Sequence, residues 1–397
     1  MRHFDFLDDE DRTRLFFREP ESFTRESEPE LLAMALGATL YSPATRPELA
    51  CDIARRSATG ATSVVLCLED SIPDKDVPAG EVNVIAQLRL YGEQQGRQSL
   101  SGDQQNGGDG PLIFIRVRSP YQIPMIMEGL GEHATVLSGF VLPKFTEDNG
   151  AIYLDTISAA SDTVGRRVLA MPVMESPDIA FAESRVPTLV GLRDLLEKYR
   201  SHVLAVRLGA TDISGVYGLR RSREHTVYDI GPIAAVITDV VNLLGRADNG
   251  YVITGPVWEY FSEGERLFKP QLRESPFIRH DERKLRARLI AADLDGLIRE
   301  VTLDRANGLT GKSVIHPSHV AAVNALSVVS HEEYLDATDI LGTSASGGVA
   351  SSAYRNKMNE SKPHTAWARR TARRARAFGV ANEEVDFVDL LGASLSQ

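Results

Sequence analysis

The chain has 397 residues, of which 43% are hydrophobic and 25% are charged, and its formal net charge is -11. This length allows one large domain or two ordinary ones, and the acidic balance excludes proteins that rely on nonspecific binding to nucleic acid or anionic membranes. The acidic N-terminus does not resemble a signal peptide and no run of residues is long enough to span a bilayer, so we expect a cytoplasmic protein with neither nucleic-acid nor membrane partners.

Cys51 and Cys67 are the only cysteines. They have neither metal-ligand spacing nor a partner set for a disulfide framework. We therefore expect each to be a small buried hydrophobic residue.

Short apolar runs alternate with helix-like segments from residue 38 onward. The runs have the length and composition of buried strands. They are Ala38–Pro43, Ser63–Leu68, Leu112–Arg118, Gly139–Lys144, Val168–Met174, Val203–Gly209, Tyr251–Pro256 and Lys312–Pro317. Eight such strands alternating with helices favour an α/β protein built as a closed (β/α)8 barrel over an open sheet.

The remaining segments surround this predicted barrel, which occupies residues 36–341. Residues 1–35 are predicted to be a polar leader anchored by Phe4, Phe6, Phe16 and Phe17, and residues 92–111 a flexible surface insertion, because they are rich in Gly, Gln and Ser. Helices are predicted from Gly231 to Leu244 and from about Asp281 to Val301. Residues 342–397 are predicted to be a helical arm that packs on the barrel or on another subunit.

Ionisable side chains follow the predicted strands at the points where the strands end. They are Glu69, Asp70, Arg116, Arg118, Lys144, Glu175, Asp212 and His316. The carboxyl ends of parallel strands meet at one edge, where α/β proteins place their chemistry. Unpaired charges would be costly in a purely structural sheet, so the pattern predicts a polar site at one mouth of the barrel.

Glu175 and Asp212 form the candidate metal pair. They follow two consecutive predicted strands, and a helical crossover between parallel strands would bring them side by side. Carboxylate oxygens suit Mg²⁺, which takes one or two protein carboxylates and keeps positions for water and substrate. The alternative is that either residue caps the following helix. The spacing alone leaves both interpretations open.

Arg116 and His316 are candidates for catalysis. Strand alternation places Arg116 and Arg118 on one face, where an arginine can bind a carboxylate and stabilise a developing oxyanion. The alternative for Arg116 is a structural ion pair with Glu69 or Asp70. A histidine before a proline at a strand end is as often a hydrogen-bonded framework residue as an acid or base.

Two basic segments raise other possibilities. The arginine-rich run from Trp367 to Phe378 is compatible with RNA binding, but the absence of a stacking platform and the acidic residues that follow favour a solvated, salt-bridged helix face. Arg220 and Arg221 lie in a positive loop after Asp212, which can hold a phosphate or carboxylate, although no nucleotide-binding fingerprint is present.

Six short motifs then occur in a fixed order within residues 38–341. They are Leu66-Cys-Leu-Glu-Asp-Ser-Ile-Pro, Ile115-Arg-Val, Leu142-Pro-Lys, Val173-Met-Glu-Ser, Gly209-Ala-Thr-Asp-Ile and Gly311-Lys-Ser-Val-Ile-His-Pro. Together they resemble the citrate lyase β-subunit and malyl-CoA lyase group of the HpcH/HpaI aldolase superfamily. The segments starting at Leu40 and Asn356 resemble a divergent branch of carbon–carbon bond lyases that is typically encoded beside bacterial tellurium-resistance and stress genes.

The resemblance implies a TIM barrel of the phosphoenolpyruvate/pyruvate type and a Mg²⁺ ion held by Glu175 and Asp212. It implies that Arg116 binds the substrate's carbonyl or carboxylate group, while Glu69 and Asp70 orient Arg116 and the metal's waters. Lys144 and the segment Gly209, Ala210 and Thr211 are the further substrate-binding residues that it implies. It also implies a homo-oligomer, either a trimer or a hexamer.

The chain departs from that group at three points. The first strand lacks the usual arginine, Phe145 and Thr146 stand where a glutamate is common after the strand-four lysine, and the link between Glu175 and Asp212 is longer. These departures leave the candidate metal ligands Glu175 and Asp212 in place. They put in question whether the protein recognises a CoA thioester.

The hypothesis from the sequence is a Mg²⁺-dependent carbon–carbon lyase that acts through an enolate on a 2-oxo acid or a hydroxyacyl compound, with CoA esters included. The proton-transfer group stays open between His316, a metal-bound water and an acidic residue of a neighbouring arm. One rival is a phosphotransferase or mutase that captures phosphate with Arg220 and Arg221. The other is a non-catalytic barrel that acts as an assembly partner in a stress-response system.

Overall fold

The computed structural model describes residues 1–100, 110–261, 294–343 and 347–395, with the side chains of residues 98–100 excluded. Strand β1 (Phe16–Arg18) lies outside the barrel. The barrel strands, in chain order, are β2 (Ala38–Pro43), β3 (Ser63–Cys67), β4 (Leu112–Arg116), β5 (Gly139–Leu142), β6 (Leu169–Met174), β7 (Val206–Leu208), β8 (Ile253–Thr254) and β9 (Lys312–Val314). They pair in parallel in the order β8-β7-β6-β5-β4-β3-β2-β9, so all eight predicted strands and the (β/α)8 architecture are confirmed.

The barrel closes between β8 and β9 through a bridge from Gly255 to Lys312. The N–H of Gly255 donates to the carbonyl of Gly311 over 3.1 Å, and the N–H of Ser313 donates to the carbonyl of Gly255 over 3.0 Å. A Cβ on Gly255 would lie 2.8 Å from the oxygen of Gly311. Closure at this seam therefore requires a residue without a side chain.

Helices follow most of the barrel strands and cover their outer faces. They are α1 (Asp9–Leu15), α2 (Pro29–Ala35), α3 (Leu49–Ala58), α4 (Val77–Leu100), α5 (Gln122–Leu130), α6 (Glu147–Val164), α7 (Pro177–Ala180), α8 (Ala182–Lys198), α9 (Ala210–Val216), α10 (Gly231–Leu244), α11 (Leu294–Ala306), α12 (Ser318–Ser327), α13 (His331–Thr343), α14 (Ser361–Phe378) and α15 (Phe387–Leu395). Short 3-10 turns occur at Asp74–Asp76, Gly131–Val136 and Val227–Asp229. The strands are buried on both faces, and side chains such as Phe114 and Phe140 are fully enclosed.

The predicted helix from Gly231 to Leu244 is confirmed as α10. The predicted helix from Asp281 to Val301 is confirmed only from Leu294 onward as part of α11, since residues 262–293 lie outside the described residues. The predicted flexible insertion at 92–111 begins too early, because α4 continues to Leu100; residues 101–109 lie outside the described residues. Glu and Gln are good helix formers and extend the helix through two glycines.

The N-terminal leader is folded against the end of the chain. Strand β1 pairs antiparallel with β12 (Val380–Ala381), and the ring of His3 stacks on Phe378 with 4.3 Å between centroids. Phe4 and Phe16 are buried as expected, whereas Phe17 is 53% exposed. Within the predicted arm, residues 347–395 therefore pack on their own chain.

A hairpin lies between helices α13 and α14. Its strands are β10 (Val349–Ser351) and β11 (Met358–Glu360), and residues 344–346 lie outside the described residues. The arginine-rich helix α14 follows. Arg373 pairs with Glu30 over 2.8 Å, and Arg374 pairs with Glu333 over 2.6 Å. The salt-bridged interpretation of this basic segment is confirmed.

The two cysteines differ in exposure. Cys67 is buried as predicted, but Cys51 is exposed, because it lies on the outward face of α3. Within the described ranges, none of the helices combines the length and apolar character needed to cross a membrane.

Candidate active site

A cavity of about 260 Å³ opens where the barrel strands end. Its lining includes Tyr41, Asp70, Arg116, Glu175, Arg207 and Asp212. The predicted polar mouth of the barrel is therefore present as a concave site, and its volume suits a small metabolite rather than a drug-sized ligand.

Arg116 ends β4 and links the carboxylates of the site. Its Nη2 lies 2.8 Å from Oε2 of Glu69, 3.0 Å from Oε1 of Glu175 and 3.6 Å from Oδ2 of Asp70. Its Nε is buried and has no hydrogen-bond partner among the described residues. The ion pairs that were the alternative interpretation of Arg116 are thus present, and they hold the guanidinium at the cavity wall. Binding of a substrate by Arg116 stays a prediction.

Lys144 follows β5 and adopts a left-handed backbone conformation with φ of +47°. Its backbone N–H donates to Oε1 of Glu175 over 2.9 Å, while its ammonium group donates to Oε1 of Glu69 over 2.7 Å. One residue therefore holds two carboxylates of the site by different groups. Its side chain is 55% exposed, so the ammonium can also meet a ligand that enters from solvent.

Glu69 and Asp70 lie in the loop after β3, and Arg118 fixes this loop. The guanidinium of Arg118 donates to the carbonyl oxygens of Leu68 over 2.7 Å and of Ile72 over 2.9 Å. β4 ends at Arg116, so the strand alternation from which Arg116 and Arg118 were predicted to share a face does not extend to Arg118.

The two loop carboxyls differ in protonation. Burial would raise the pKa of Glu69, but the side chain of Asp70 together with Arg116 and Lys144 holds it below its ordinary value. Burial and the adjoining charge of Glu69 raise the pKa of Asp70 to about 6. Asp70 is thus the member of the pair whose proton is exchangeable near neutral pH.

Glu175 and Asp212 line the cavity from the ends of β6 and β7. Glu175 is 3% exposed, and burial raises its pKa to about 7, with Arg116 opposing the shift and the charge of Asp212 adding to it. The capping interpretation is not supported. The N-cap residues of α7 and α9 are Ser176 and Gly209, and neither helix has a side-chain cap hydrogen bond.

This pair has the donor chemistry for Mg²⁺. No hydrogen bond to the side chain of Asp212 occurs among the described residues, so its oxygens are available to a cation. The described residues contain no cluster of three or more His, Cys, Asp and Glu side chains suited to a metal ion. Mg²⁺ is commonly bound by one or two protein carboxylates, and oxygens of water and substrate complete its coordination.

Gly209, Ala210 and Thr211 connect β7 to Asp212 and line the cavity. A Cβ on Gly209 would lie 2.1 Å from Oε2 of Glu175, so this close approach needs glycine. The hydroxyl of Thr211 donates to Glu259 over 3.0 Å. The segment therefore reaches the cavity mainly through its backbone.

His316 lies beside the cavity but is not one of the residues that line it. Its Nδ1 accepts from the N–H of Ser318 over 3.3 Å and lies 2.7 Å from the hydroxyl of the same residue. Its ring stacks on Phe261 with 4.7 Å between centroids. These contacts are those of a framework residue at the start of α12.

Arg221, which the phosphotransferase interpretation requires as a phosphate ligand, is already bound to side chains of the protein. It is buried, pairs with Glu300 and with Glu259, and lies over the ring of Trp258. Glu300 also pairs with Lys312 over 2.9 Å. This network braces the outer side of β9 and leaves Arg220 and Arg223 as exposed arginines of the loop.

Arg207 was not singled out from the sequence, although it lines the cavity. It lies within the apolar run of β7 and is 1% exposed. The signal in the sequence is an arginine inside an otherwise apolar buried strand. Burying such a charge costs free energy, so its presence there indicates a functional role.

The comparisons with known proteins agree on the fold. A family model described as "C-C_Bond_Lyase of the TIM-Barrel fold" matches residues 30–380. Among solved structures, 83 chains match. No curated protein sequence matches the chain.

Three of the matching structures illustrate the likeness. A malate synthase from Haloferax volcanii, solved at 3 mM glyoxylate, has a TM-score of 0.50 and 15% identity, covering 78% of this chain and 83% of its own. The protein CitE from Mycobacterium tuberculosis, in complex with magnesium, acetoacetate and coenzyme A, has a TM-score of 0.49 and 18% identity, covering 86% and 99%. RipC from Yersinia pestis has a TM-score of 0.44 and 16% identity, covering 74% and 95%. At 15% identity the likeness to the malate synthase concerns the fold alone.

Proposed function

Because the chain belongs to the family of C–C bond lyases of the TIM-barrel fold, we propose that it makes or breaks a carbon–carbon bond next to a carbonyl group with Mg²⁺ as its cofactor. The substrate class that we propose is a small 2-oxo acid or the hydroxy acid from which it is released. Glu175 and Asp212 would hold the ion. When bound, Mg²⁺ supplies Lewis-acid polarisation of an oxygen beside the reacting carbon.

The observation that carries the proposal is that Glu175 and Asp212 both line the cavity. Glu175 directly follows β6, and Asp212 lies in the first turn of α9, which follows the neighbouring strand β7. Oε1 of Glu175 is fixed by Arg116 and by the backbone of Lys144, which orients the carboxylate. The Asp212 side chain has no hydrogen bond among the described residues. A fixed carboxylate beside an unengaged one is a donor set that a divalent cation completes.

Arg116 would stabilise the negative charge that develops on substrate when the carbon–carbon bond changes. Its guanidinium is held by Glu69 and Glu175, so little reorganisation is needed when that charge appears. The buried Nε without a partner among the described residues is one further donor on the same cation. Lys144 would bind a substrate carboxylate from the solvent side.

Asp70 would be the proton-transfer group of the reaction. It lines the cavity, and its pKa of about 6 lets it both accept and return a proton near neutral pH. Glu69 would keep Asp70 in place and would itself stay ionised. His316 has a positioning role at most in this scheme, because its ring is occupied by Ser318 and Phe261.

Metal binding tests the site directly. Isothermal titration calorimetry with Mg²⁺ and Mn²⁺ should give one site in the wild-type protein. Glu175→Gln and Asp212→Asn should each weaken binding by about tenfold or more, since each removes a charged ligand. Asp178→Asn, an exposed carboxylate at the start of α7, is the matched control. The assignment fails if both Glu175→Gln and Asp212→Asn retain wild-type affinity.

Turnover tests the reaction. A panel of hydroxy acids and their CoA esters should yield pyruvate, glyoxylate or acetyl-CoA in a reaction that requires a divalent metal and is lost in Arg116→Gln. A protein that binds metal but converts none of the panel would contradict the proposed chemistry while leaving the metal site intact. Sedimentation velocity on the same preparation measures whether the expected trimer or hexamer forms.

A further inference from the structure

Arg207 is a cation in the barrel interior that has only neutral partners. Its Nη2 donates to the hydroxyl of Ser313 over 2.7 Å, and its Nη1 lies 3.4 Å from the hydroxyl of Thr39 and 3.5 Å from the sulfur of Met171. Its guanidinium lies 5.5 Å from the centre of the Tyr41 ring. No carboxylate among the described residues pairs with it.

Other buried cations of the same chain are paired with acids. Lys312 lies 2.9 Å from Glu300 and 2.7 Å from Asp304. Arg185 lies 2.9 Å from Asp239. The absence of an acidic partner at Arg207 among the described residues is therefore a local property of the cavity and not the general pattern of this fold.

An unpaired buried charge destabilises a fold because the interior solvates it poorly. Burial accordingly lowers the pKa of Arg207, with the nearby charge of Arg116 acting in the same direction, although an arginine remains protonated. Its buried Nε has no hydrogen-bond partner among the described residues. Arg207 lines the cavity, so a ligand that enters the cavity can meet this uncompensated charge.

The register of the strands places Arg207 one layer below the metal pair. Val173 on β6 is the partner of Arg207 on β7, and Glu175 follows two residues after Val173. Gly209, two residues after Arg207, contacts Glu175. Two residues along a strand correspond to roughly 6.6 Å, so a ligand of a few carbons can reach both layers.

We propose that Arg207, with Ser313 beside it, binds a second carboxylate of the substrate deep in the barrel, so that the substrate is a short dicarboxylic acid. This inference rests on the proposed function, in which Lys144 binds the first carboxylate and the reacting carbon lies beside the ion held by Glu175 and Asp212. The planar guanidinium offers two parallel donors to a carboxylate, and the ligand's charge replaces the missing acidic side chain.

The test compares two stable acids that differ by one carboxylate. Lactate and malate, each as the racemate, are titrated into the full-length protein with saturating Mg²⁺ and without CoA, and their dissociation constants are measured by calorimetry. The wild-type protein should bind malate about 10- to 100-fold more tightly than lactate, which is the range expected for one charged hydrogen-bonded contact. Arg207→Met should lose this preference and keep the affinity for lactate. Arg207→Lys, which keeps the charge but not the fork, should retain part of the preference.

A thermal melt supplies a second readout that a structural role would move in the opposite direction. Arg207→Met removes an uncompensated buried charge and should raise Tm, whereas a side chain that braces the barrel would lower Tm when removed. The inference is overturned if the wild-type protein does not prefer malate, if Arg207→Met weakens lactate and malate equally, or if Arg207→Met lowers Tm. Loss of the proposed function has a different signature, because metal binding by Glu175 and Asp212 is measured without either acid.

Discussion

The backbone N–H of Lys144, not its side chain, holds Oε1 of Glu175, over 2.9 Å. The side-chain ammonium group of Lys144 donates instead to Oε1 of Glu69. Lys144→Met should therefore leave Mg²⁺ affinity within about fivefold of wild type, since a half-exposed ion pair contributes at most about 1 kcal/mol. Lys144→Gly should behave in the same way and also lacks the strain of a side chain at positive φ. Calorimetry on the two variants tests this; a loss in Lys144→Met as large as in Glu175→Gln would contradict it.

Because Gly209 has no side chain, the backbone after β7 can lie close to Glu175, one of the two candidate metal ligands. In Gly209→Ala the new Cβ would lie 2.1 Å from Oε2 of Glu175 and 2.5 Å from its Cβ, so the carboxylate must move. We expect Mg²⁺ affinity to fall by about 10- to 100-fold while the protein stays folded. Gly215→Ala is the control, because its Cβ would meet nothing within 4 Å. Equal affinities of the two variants for Mg²⁺, measured by calorimetry, would show that Gly209 does not set the position of Glu175.

Lys312 neutralises two buried acids behind β9. Lys312→Met would leave Glu300 and Asp304 without the ammonium that lies 2.9 Å and 2.7 Å from them. We expect the free energy of unfolding to fall by about 3–5 kcal/mol, as when one partner of a buried ion pair is removed. Adding Asp304→Asn to Lys312→Met should recover part of the loss. Chemical denaturation of the two single variants and the double variant gives the coupling, and strict additivity would rule out this account.

His3 makes stability depend on pH. Burial lowers its pKa from 6.5 to about 4, although the hydrogen bond from its Nε2 to the carbonyl of Ala35 opposes the shift. The unfolded chain thus binds a proton between pH 6.5 and pH 4 that the folded protein does not, so stability falls as pH decreases through this window. The full effect is roughly 3 kcal/mol.

The comparison for this effect is His3→Gln, which keeps a donor at the same position but does not titrate. Denaturation of wild type and His3→Gln at pH 7, 5.5 and 4 should show a steeper loss in the wild-type protein. Parallel curves for the two proteins would mean that His3 is not protected from protons in the folded state.

The strand ends were predictable because sequence order fixes which ends meet in a parallel barrel. Glu175 and Asp212 follow consecutive strands and are neighbours for that reason. The direction of side chains was less predictable. Strands buried on both faces show no polar alternation, so the inward orientation of Arg207 could not be inferred from its neighbours.

The directions of side chains just after the end of a strand could not be predicted from the sequence either. Arg118 and His316 follow the last residues of β4 and β9, where the backbone leaves the strand conformation. Their directions depend on the loop carbonyls around Arg118 and on the stacking of His316 with Phe261. Those are tertiary contacts between segments far apart in sequence, and local propensity carries no information about them.

The antiparallel pairing of β1 with β12 has a consequence for how the chain folds. Asn382 bonds to the carbonyl of Thr13 across 369 positions of sequence. Contacts between such distant residues form late, because the entropy of closing the largest loop in the molecule must be overcome first. During synthesis, β1 leaves the ribosome before β12 and therefore has to wait for it. Until then its unpaired edge is open to pairing with other nascent chains.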